Sequence, residues 1–195
     1  MHNRKKILIT GANGFLGSNL IKSIDSNNDI DVIPIAREMY SDISKFLNSD
    51  ANIIFHFAGV NRPKSVCEFE KYNSELTNIL CFELEQFVKT NQEKISIVYA
   101  SSIQAELDNP YGKSKLKAET YLMNFCKKFE LPLYIYRLSN LFGKWSRPNY
   151  NSVVATFCYN TANNLPIKVS DPEKEIQLTY IDDVMAEFSN IINCD

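Results

Sequence analysis

Short, continuously apolar runs alternate along this chain with longer stretches in which apolar residues recur every three or four positions. The short runs cover residues 6–10 (KILIT), 31–36 (DVIPIA), 52–57 (NIIFHF), 95–100 (ISIVYA) and 133–137 (LYIYR). Runs without polar alternation predict strands buried on both faces. The periodic stretches predict a helix from residue 15 to about 26, a short helix at 41–47 and two long helices at 68–90 and 111–129. In the first long helix Leu76, Ile79, Leu80, Leu84, Phe87 and Val88 repeat at helical spacing. Strands that alternate with helices need crossover connections, so the predicted class is α/β, a doubly wound parallel sheet with helices on both faces. Beyond Leu141 the pattern loosens into a polar loop at 144–151, a helix at 153–162, a short segment at 176–179 and a last helix at 182–192.

Composition narrows the function classes. The 195 residues suffice for one well-packed domain and a small lobe, and a formal net charge of −2 excludes a global basic field for nucleic acid. An anionic substrate therefore has to be held by local groups. Five scattered cysteines form no Cys-x-x-Cys pair and only His2 and His56 are histidines, so no metal site is expected. The cysteines read as mostly small core residues of a reducing, cytoplasmic protein. The apolar run after the basic first residues stops at Thr10, too short for a signal-peptide core, and no stretch is long enough to span a membrane.

Candidate chemistry lies at two places. After the first strand comes Thr10-Gly11-Ala12-Asn13-Gly14-Phe15-Leu16-Gly17, with glycines spaced G-x-x-G-x-x-G between a strand and a helix. The first glycine allows a sharp reversal, the second close approach of backbone amides to a pyrophosphate, and the third tight packing of helix on strand. This context makes the predicted fold Rossmann-type, with Gly11, Asn13, Gly14, Phe15, Leu16 and Gly17 as the dinucleotide cradle. Phe57, Ala58 and Gly59, at the end of the third strand, pass under the adenosine half. After the second strand stands Arg37 in place of an acidic residue, and a guanidinium suits a ribose 2′-phosphate, so NADPH is expected over NADH. His56, inside an apolar strand, reads as a packed histidine.

The second place is Tyr111-Gly112-Lys113-Ser114-Lys115. Tyr111 and Lys115 are i and i+4, on one face of the predicted helix. An ammonium near the phenol is expected to lower its pKa, so that Tyr111 protonates a carbonyl oxygen as hydride arrives. The fourth strand ends in Ala100-Ser101-Ser102, where the Ser102 hydroxyl reaches both the substrate oxygen and the tyrosine. Tyr111 and Lys115 also belong to the predicted cofactor site, with Lys115 on the nicotinamide ribose.

Together TGANGFLG, HFAG, Ser-Ser, YGKSK, Arg137-x-x-Asn140-x-x-Gly143 and Tyr180-Ile181-Asp182-Asp183-Val184 resemble the extended short-chain dehydrogenase/reductases that act on nucleotide sugars. Within them, AGVNRP at 58–63, SSIQA with NPYGKSK at 101–115 and YRLSNLFGKWSRPNYNSVVATFCY at 136–159 resemble the reductase domain of CapF-type capsule and O-antigen enzymes. The resemblance implies reduction at C4 of a UDP-2-acetamido-2,6-dideoxy-hexos-4-ulose, with Ser102, Tyr111 and Lys115 as the catalytic set. It also implies that Asn140, Lys144, Arg147, Asn149 and Asn151 line the sugar-nucleotide side, that Asn73 is an active-site helix asparagine, and that the chain forms a homodimer. Dehydratases of the superfamily carry an acidic pair after the catalytic serine. Here Ile103-Gln104 stands there, and neither side chain supplies a general acid for elimination.

The domain expectation is a Rossmann domain at 1–140 that binds NADP, followed by a partial substrate lobe at 141–195. CapF-type enzymes continue into more substrate lobe and a metal-binding cupin that epimerises, neither of which is expected here. Two other readings stay open at this stage: a C4 epimerase that keeps its NAD, against which Arg37 speaks, and a truncated, non-catalytic Rossmann remnant.

Overall fold

The computed structural model of the chain describes residues 4–25, 27–36, 39, 51–91 and 95–194. Arg37 and the helix expected at 41–47 lie outside the described residues. Two compact units are present, one reaching to Arg137 and one spanning Leu138–Cys194.

The first unit is organised by a five-stranded sheet. Its strands are β1 (Lys5–Thr10), β2 (Ile30–Ile35), β3 (Ala51–His56), β4 (Ser96–Ser102) and β5 (Leu133–Leu138), in the order β2-β1-β3-β4-β5. The pairs β1–β2, β1–β3 and β3–β4 are parallel. Register aligns Thr10 with His56 and His56 with Tyr99, so three polar side chains from adjacent strands lie at one level. From β1 the chain moves out to β2 and then returns to the other side of β1 as β3. At that reversal the connections leave the carboxyl edge in opposite directions and open a crevice.

The strands are apolar on both alternating positions because both faces are covered. Leu8, Ile54, Ile97 and Tyr99 on one face, and Ile7, Ile9, Ile53, Phe55 and Val98 of the opposite parity, are all fully buried. Helix α1 (Phe15–Ile24) follows the glycine turn and buries Leu20 and Ile24. Helix α2 (Leu76–Asn91) and helix α3 (Pro110–Phe129) cover the first of those faces, where Leu80, Leu84 and Phe87 meet Leu122 and Phe125 above Leu8, Ile54 and Tyr99.

The first long helix differs from the uniform one expected. It enters through one α-turn (Cys67–Phe69) and a π-helical segment (Glu70–Glu75) before α2 begins. The wider turn brings the polar Asn73 and Ser74 into the interior, where hydrogen bonds satisfy them. A purely 3.6-residue reading carries no signal for this.

Helix α3 starts where local chemistry directs it. The Asn109 side chain accepts the Gly112 N–H at 2.8 Å, and Pro110 occupies the first turn, where no N–H is needed. It stops at Glu130, which adopts a left-handed φ of 53°. Asn109→Ala removes the cap, and an equilibrium urea melt should show about 1 kcal/mol less stability. An unchanged midpoint would mean that the cap is dispensable.

The second unit contains a two-stranded parallel sheet of β6 (Asn140–Phe142) and β7 (Leu178–Tyr180), with Phe142 and Tyr180 rings 5.3 Å apart. The sequence marked only a short segment here, because three-residue strands are too short to display a period. Helix α4 (Val153–Ala162) is capped by Ser152, and helix α5 (Ile181–Cys194) buries Ile181, Val184, Met185, Phe188, Ile191 and Ile192 on one face. Gly143, at φ +135°, sits against Ile181, whose side chain would meet an added Cβ at 2.4 Å. Residues 163–178 are exposed, including Leu165, Ile167, Val169, Ile176 and Leu178.

The cysteine expectation needs correction. Cys81 and Cys126 are buried, their thiols pushed up to about 12 by burial, but Cys67, Cys158 and Cys194 are exposed. Cys67 opens the helical entry, Cys158 lies on α4 and Cys194 ends α5. Among the described residues no helix is long and apolar enough to cross a membrane, and no group of three or more His, Cys, Asp or Glu is placed to hold a metal ion.

Candidate active site

The glycine turn has the geometry that a dinucleotide needs. Gly11 has φ +70°, and a Cβ there would lie 2.8 Å from the Ala58 nitrogen and 2.9 Å from the Phe57 carbonyl carbon. Only glycine lets the β1 turn pass this close to the chain leaving β3. A Cβ on Gly17 would meet the Gly11 carbonyl oxygen at 2.5 Å and Ala12 at 2.7 Å, so α1 lies directly against the turn. The Gly14 N–H closes the turn on the Gly11 carbonyl at 2.9 Å. Gly14 is also the N-cap of α1, with no side-chain cap and no acidic residue in the first turn. The leading N–H groups of α1 thus face an end left clear of side-chain acceptors, which suits a pyrophosphate. Asn13, Phe15 and Leu16 belong to the same turn and helix start. These residues fit the phosphate half of a dinucleotide.

A buried polar network supports the floor of the cradle. The Thr77 hydroxyl donates to the Asn73 carbonyl at 2.6 Å, so at its 2.9 Å contact with His56 Nε2 the histidine must donate. His56 Nδ1 then accepts the Thr10 hydroxyl proton at 2.7 Å. Burial, with the nearby Lys115 charge, lowers the His56 pKa to about 3, so it is neutral and single-protonated. This agrees with the packed histidine expected. Thr10 Oγ1 in turn accepts the Ala58 N–H at 3.4 Å.

Asn73 holds the next residues of that loop. Its Oδ1 accepts the Val60 N–H at 2.7 Å, and its Nδ2 donates to the Val60 carbonyl at 3.0 Å and to Ser114 Oγ at 2.9 Å. Gly59 passes close above it, since a Cβ there would lie 2.7 Å from Asn73 Oδ1. Asn73 therefore clamps the Ala58–Gly59–Val60 loop to α3. Thr77 was not singled out in the sequence, and Thr10 stood only as the first residue of the glycine motif, because a single hydroxyl has no periodicity of its own.

The proton-transfer group is assembled by β4 and α3. Ser102, the last residue of β4, accepts the Gln104 N–H at 3.2 Å and caps a short 3-10 turn (Ile103–Glu106). The Ser102 hydroxyl also stands beside the Tyr111 phenol, where a hydrogen bond from it favours the phenolate. The α3 helix is brought against the 3-10 turn by Gly112, where a Cβ would fall 2.1 Å from the Gln104 carbonyl oxygen. Phe69 packs on Tyr111 with ring centroids 5.5 Å apart.

Lys115 is buried one turn after Tyr111, but its ammonium does not lower the resting phenol as expected. Its Nζ donates to the Ala100 carbonyl at 2.6 Å and lies 4.3 Å from the centre of the Tyr99 ring. Burial lowers its pKa to about 7, opposed by the Glu119 charge. Burial pushes the Tyr111 phenol above its ordinary value, with the Ser102 hydrogen bond opposing. The expected lowering by Lys115 is thus corrected: its ammonium is engaged by a backbone carbonyl and an aromatic face. A raised phenol stays protonated, which is the state a proton donor to a carbonyl must have.

Ser101 and Glu119 complete this side. The Ser101 hydroxyl donates to Glu119 Oε1, and Arg137 grips both carboxylate oxygens, Nε to Oε1 at 3.0 Å and Nη2 to Oε2 at 2.7 Å. Glu119 was missed in the sequence, although a signal existed: an acidic residue on the buried face of a helix, two turns after Tyr111. Tyr99 fits the same layer, stacked on His56 at 5.4 Å.

The second unit holds the residues expected on the sugar-nucleotide side. Asn140 Nδ2 donates to the Gln177 carbonyl at 3.1 Å, and Lys144 pairs with Asp182 at 3.2 Å. The Arg147 guanidinium lies 5.5 Å over the Tyr150 ring. Asn149 takes a left-handed φ of 54° and its N–H donates to Thr156 Oγ1, while Asn151 is exposed in the turn before α4.

Comparison with known proteins places this arrangement. The model of the NAD dependent epimerase/dehydratase family matches residues 7–108 and 91–193. A UDP-2-acetamido-2,6-beta-L-arabino-hexul-4-ose reductase of Pseudomonas aeruginosa is 47% identical over 188 residues, which is 96% of this chain and 50% of that protein. The crystal structure of the capsular polysaccharide assembling protein CapF from Staphylococcus aureus superposes with a TM-score of 0.77 at 38% identity, over 96% of this chain and 49% of that one. UDP-glucuronic acid 4-epimerase from Bacillus cereus in complex with NAD shares the fold, with a TM-score of 0.77 at 22% identity over 96% of this chain and 74% of that one. The chain spans about half the length of the Pseudomonas and Staphylococcus proteins it matches. On the family match and on the cradle and Tyr-Lys geometry described above, the chain belongs to the NAD dependent epimerase/dehydratase family.

Proposed function

We propose that the chain is an NADPH-dependent reductase that acts on the C4 carbonyl of a UDP-2-acetamido-2,6-dideoxy-4-keto-hexose, in the making of capsule or O-antigen sugar nucleotides. The observation that carries this reading is the helix face of half-buried Tyr111 and buried Lys115 against Ser102 at the end of β4. The Pseudomonas relative, a reductase of a UDP-hexul-4-ose by name, supplies the substrate class.

When bound, the dihydronicotinamide supplies the hydride. Gly11, Gly14 and Gly17 hold the phosphates against α1, and the clamped loop Phe57–Ala58–Gly59 lies under the adenosine half. Ser102 orients the substrate carbonyl by a hydrogen bond to its oxygen. Tyr111 gives that oxygen its phenolic proton and is left as a phenolate, which a charged Lys115 stabilises. The preference for NADPH rests on Arg37, whose guanidinium suits a 2′-phosphate. Asn140, Lys144, Arg147, Asn149 and Asn151 bind the nucleotide sugar, Lys144 exchanging Asp182 for a substrate phosphate. We place the enzyme in the cytoplasm as a homodimer.

Calorimetric titration with NADPH and NADH, followed by turnover of the 4-keto sugar read by loss of dihydronicotinamide absorbance, tests the reading. NADPH bound in preference to NADH and consumed only with the keto sugar supports it. Binding without turnover would leave a nucleotide-binding domain. No binding of either dinucleotide would overturn the reading. Purified protein that already carries one NAD per chain would favour a C4 epimerase instead.

A further inference from the structure

Tyr111, Lys115 and Glu119 recur at intervals of four, so helix α3 presents them in a row along one face. Glu119 is only 2% exposed, a rare state for a carboxylate unless it is paired. Its pairing is full: Ser101 and Arg137 Nε occupy Oε1, and Arg137 Nη2 occupies Oε2. The two-pronged grip fixes the carboxylate in plane and position. Arg137 itself is exposed at its outer side, where its third nitrogen, Nη1, reaches the exposed Glu106 at 2.8 Å.

Lys115 has the opposite problem. It is buried, yet its direct partners, the Ala100 carbonyl and the Tyr99 ring, carry no formal charge. The titratable groups facing it are the neutral His56 of β3, the Tyr99 phenol of β4 and Glu119 of α3, with Tyr111 one turn before it on the same helix. Arg137 of β5 lies beyond Glu119. Among these described neighbours Glu119 is the formal negative charge.

We propose that Glu119, held by Arg137 and Ser101, is a positioning residue that keeps the Lys115 side chain cationic and thereby sets the upper pH limit at which Tyr111 works as an acid. The role in catalysis rests on the reductase reading above; the charge coupling itself does not. A buried ammonium is disfavoured by desolvation, and a fixed carboxylate one helical turn away opposes that penalty. Lys115 lies close to its titration midpoint at neutral pH, so a modest change in its surroundings changes its charge. The Ser101 link also ties the same carboxylate to the strand end that carries Ser102, so the donor, its orienting serine and the lysine share one anchor.

The test is lysine-selective 13C NMR on the intact chain, following the Lys115 Cε signal with pH and assigning it by its loss in Lys115→Met. Glu119→Gln keeps the shape and an acceptor oxygen but removes the charge, and should lower the Lys115 midpoint by roughly one to two pH units. Arg137→Gln removes a cation from the far side of Glu119, and should raise it. Arg137→Lys keeps that charge and should restore the unchanged midpoint. A carboxylate that merely fastens α3 to β5 would lower the melting temperature in each variant without moving the midpoint in opposite directions. An unmoved midpoint in Glu119→Gln, or shifts of the same sign in Glu119→Gln and Arg137→Gln, overturns the proposal. Should Glu119→Gln fail to fold, the Arg137 pair decides alone: a rise in Arg137→Gln supports it and no rise overturns it. The titration needs no substrate, so a failure of the reductase reading appears separately, as absent turnover in the unaltered chain. Where turnover is present, its high-pH limb should move with the NMR midpoint, because the lysine loses its proton as pH rises.

Discussion

Tyr111→Phe should lower the turnover of a 4-keto nucleotide sugar by about 10²- to 10⁴-fold, the range for loss of a positioned general acid. The substitution removes one oxygen and little else. The ring contact with Phe69 does not involve the hydroxyl. The glycine cradle, the Thr10–His56–Thr77 network and the Asn73 clamp are all formed by other residues. Dinucleotide affinity should therefore fall far less than the rate, losing one hydroxyl contact at most, and parallel titration and turnover measurements read the two separately. A variant that keeps most of its rate would assign the proton to another group. Equal loss of binding and turnover would mean that Tyr111 serves to build the site.

Gly112→Ala should destabilise the chain by about 1–3 kcal/mol and reduce turnover as well, although alanine is the better helix former. Two effects of opposite sign compete at this position. Intrinsic propensity favours alanine in a helix by about 1 kcal/mol. Against it, the new Cβ would fall 2.1 Å from the Gln104 carbonyl oxygen and 2.7 Å from that of Leu107, both backbone atoms. Neither atom can swing aside as a side chain would, so the 3-10 turn has to move away from α3. That turn begins at Ser102, and its displacement pulls the serine hydroxyl from Tyr111. A urea melt measures the first effect and the turnover rate the second. A variant more stable than the original chain would show that the helix and the turn do not approach this closely.

Much of the architecture was legible because it rests on local rules. Runs apolar at every position betray strands covered on both faces, and their alternation with helical periods leaves a doubly wound parallel sheet as the natural packing. The residues that surround the crevice are identifiable for the same reason. Gly11, Gly14 and Gly17 follow a strand and open a helix, and Tyr111 and Lys115 lie one turn apart. Each of these relations spans a few residues, and backbone geometry alone converts it into a position in space.

Relations between distant segments were not legible. The π segment at Glu70–Glu75 forms where Asn73 and Ser74 find partners on Val60 and on Ser114 of α3, and no helical period encodes that. The β6–β7 pair joins three-residue segments 38 positions apart in register. The charge state of the catalytic pair is the clearest case. Sequence spacing puts an ammonium one turn from a phenol and predicts an acidified tyrosine. In the folded chain, Ala100 and Tyr99 engage the ammonium, burial raises the phenol, and a carboxylate gripped from β5 opposes the loss of the lysine's charge. Sequence by itself determined the five strands of the main sheet, the long helices and which motif residues stand at the sheet's carboxyl edge, since these follow from backbone periodicity. Only the tertiary structure decided how those side chains ionise, because desolvation and charge coupling depend on neighbours that the chain brings together by folding.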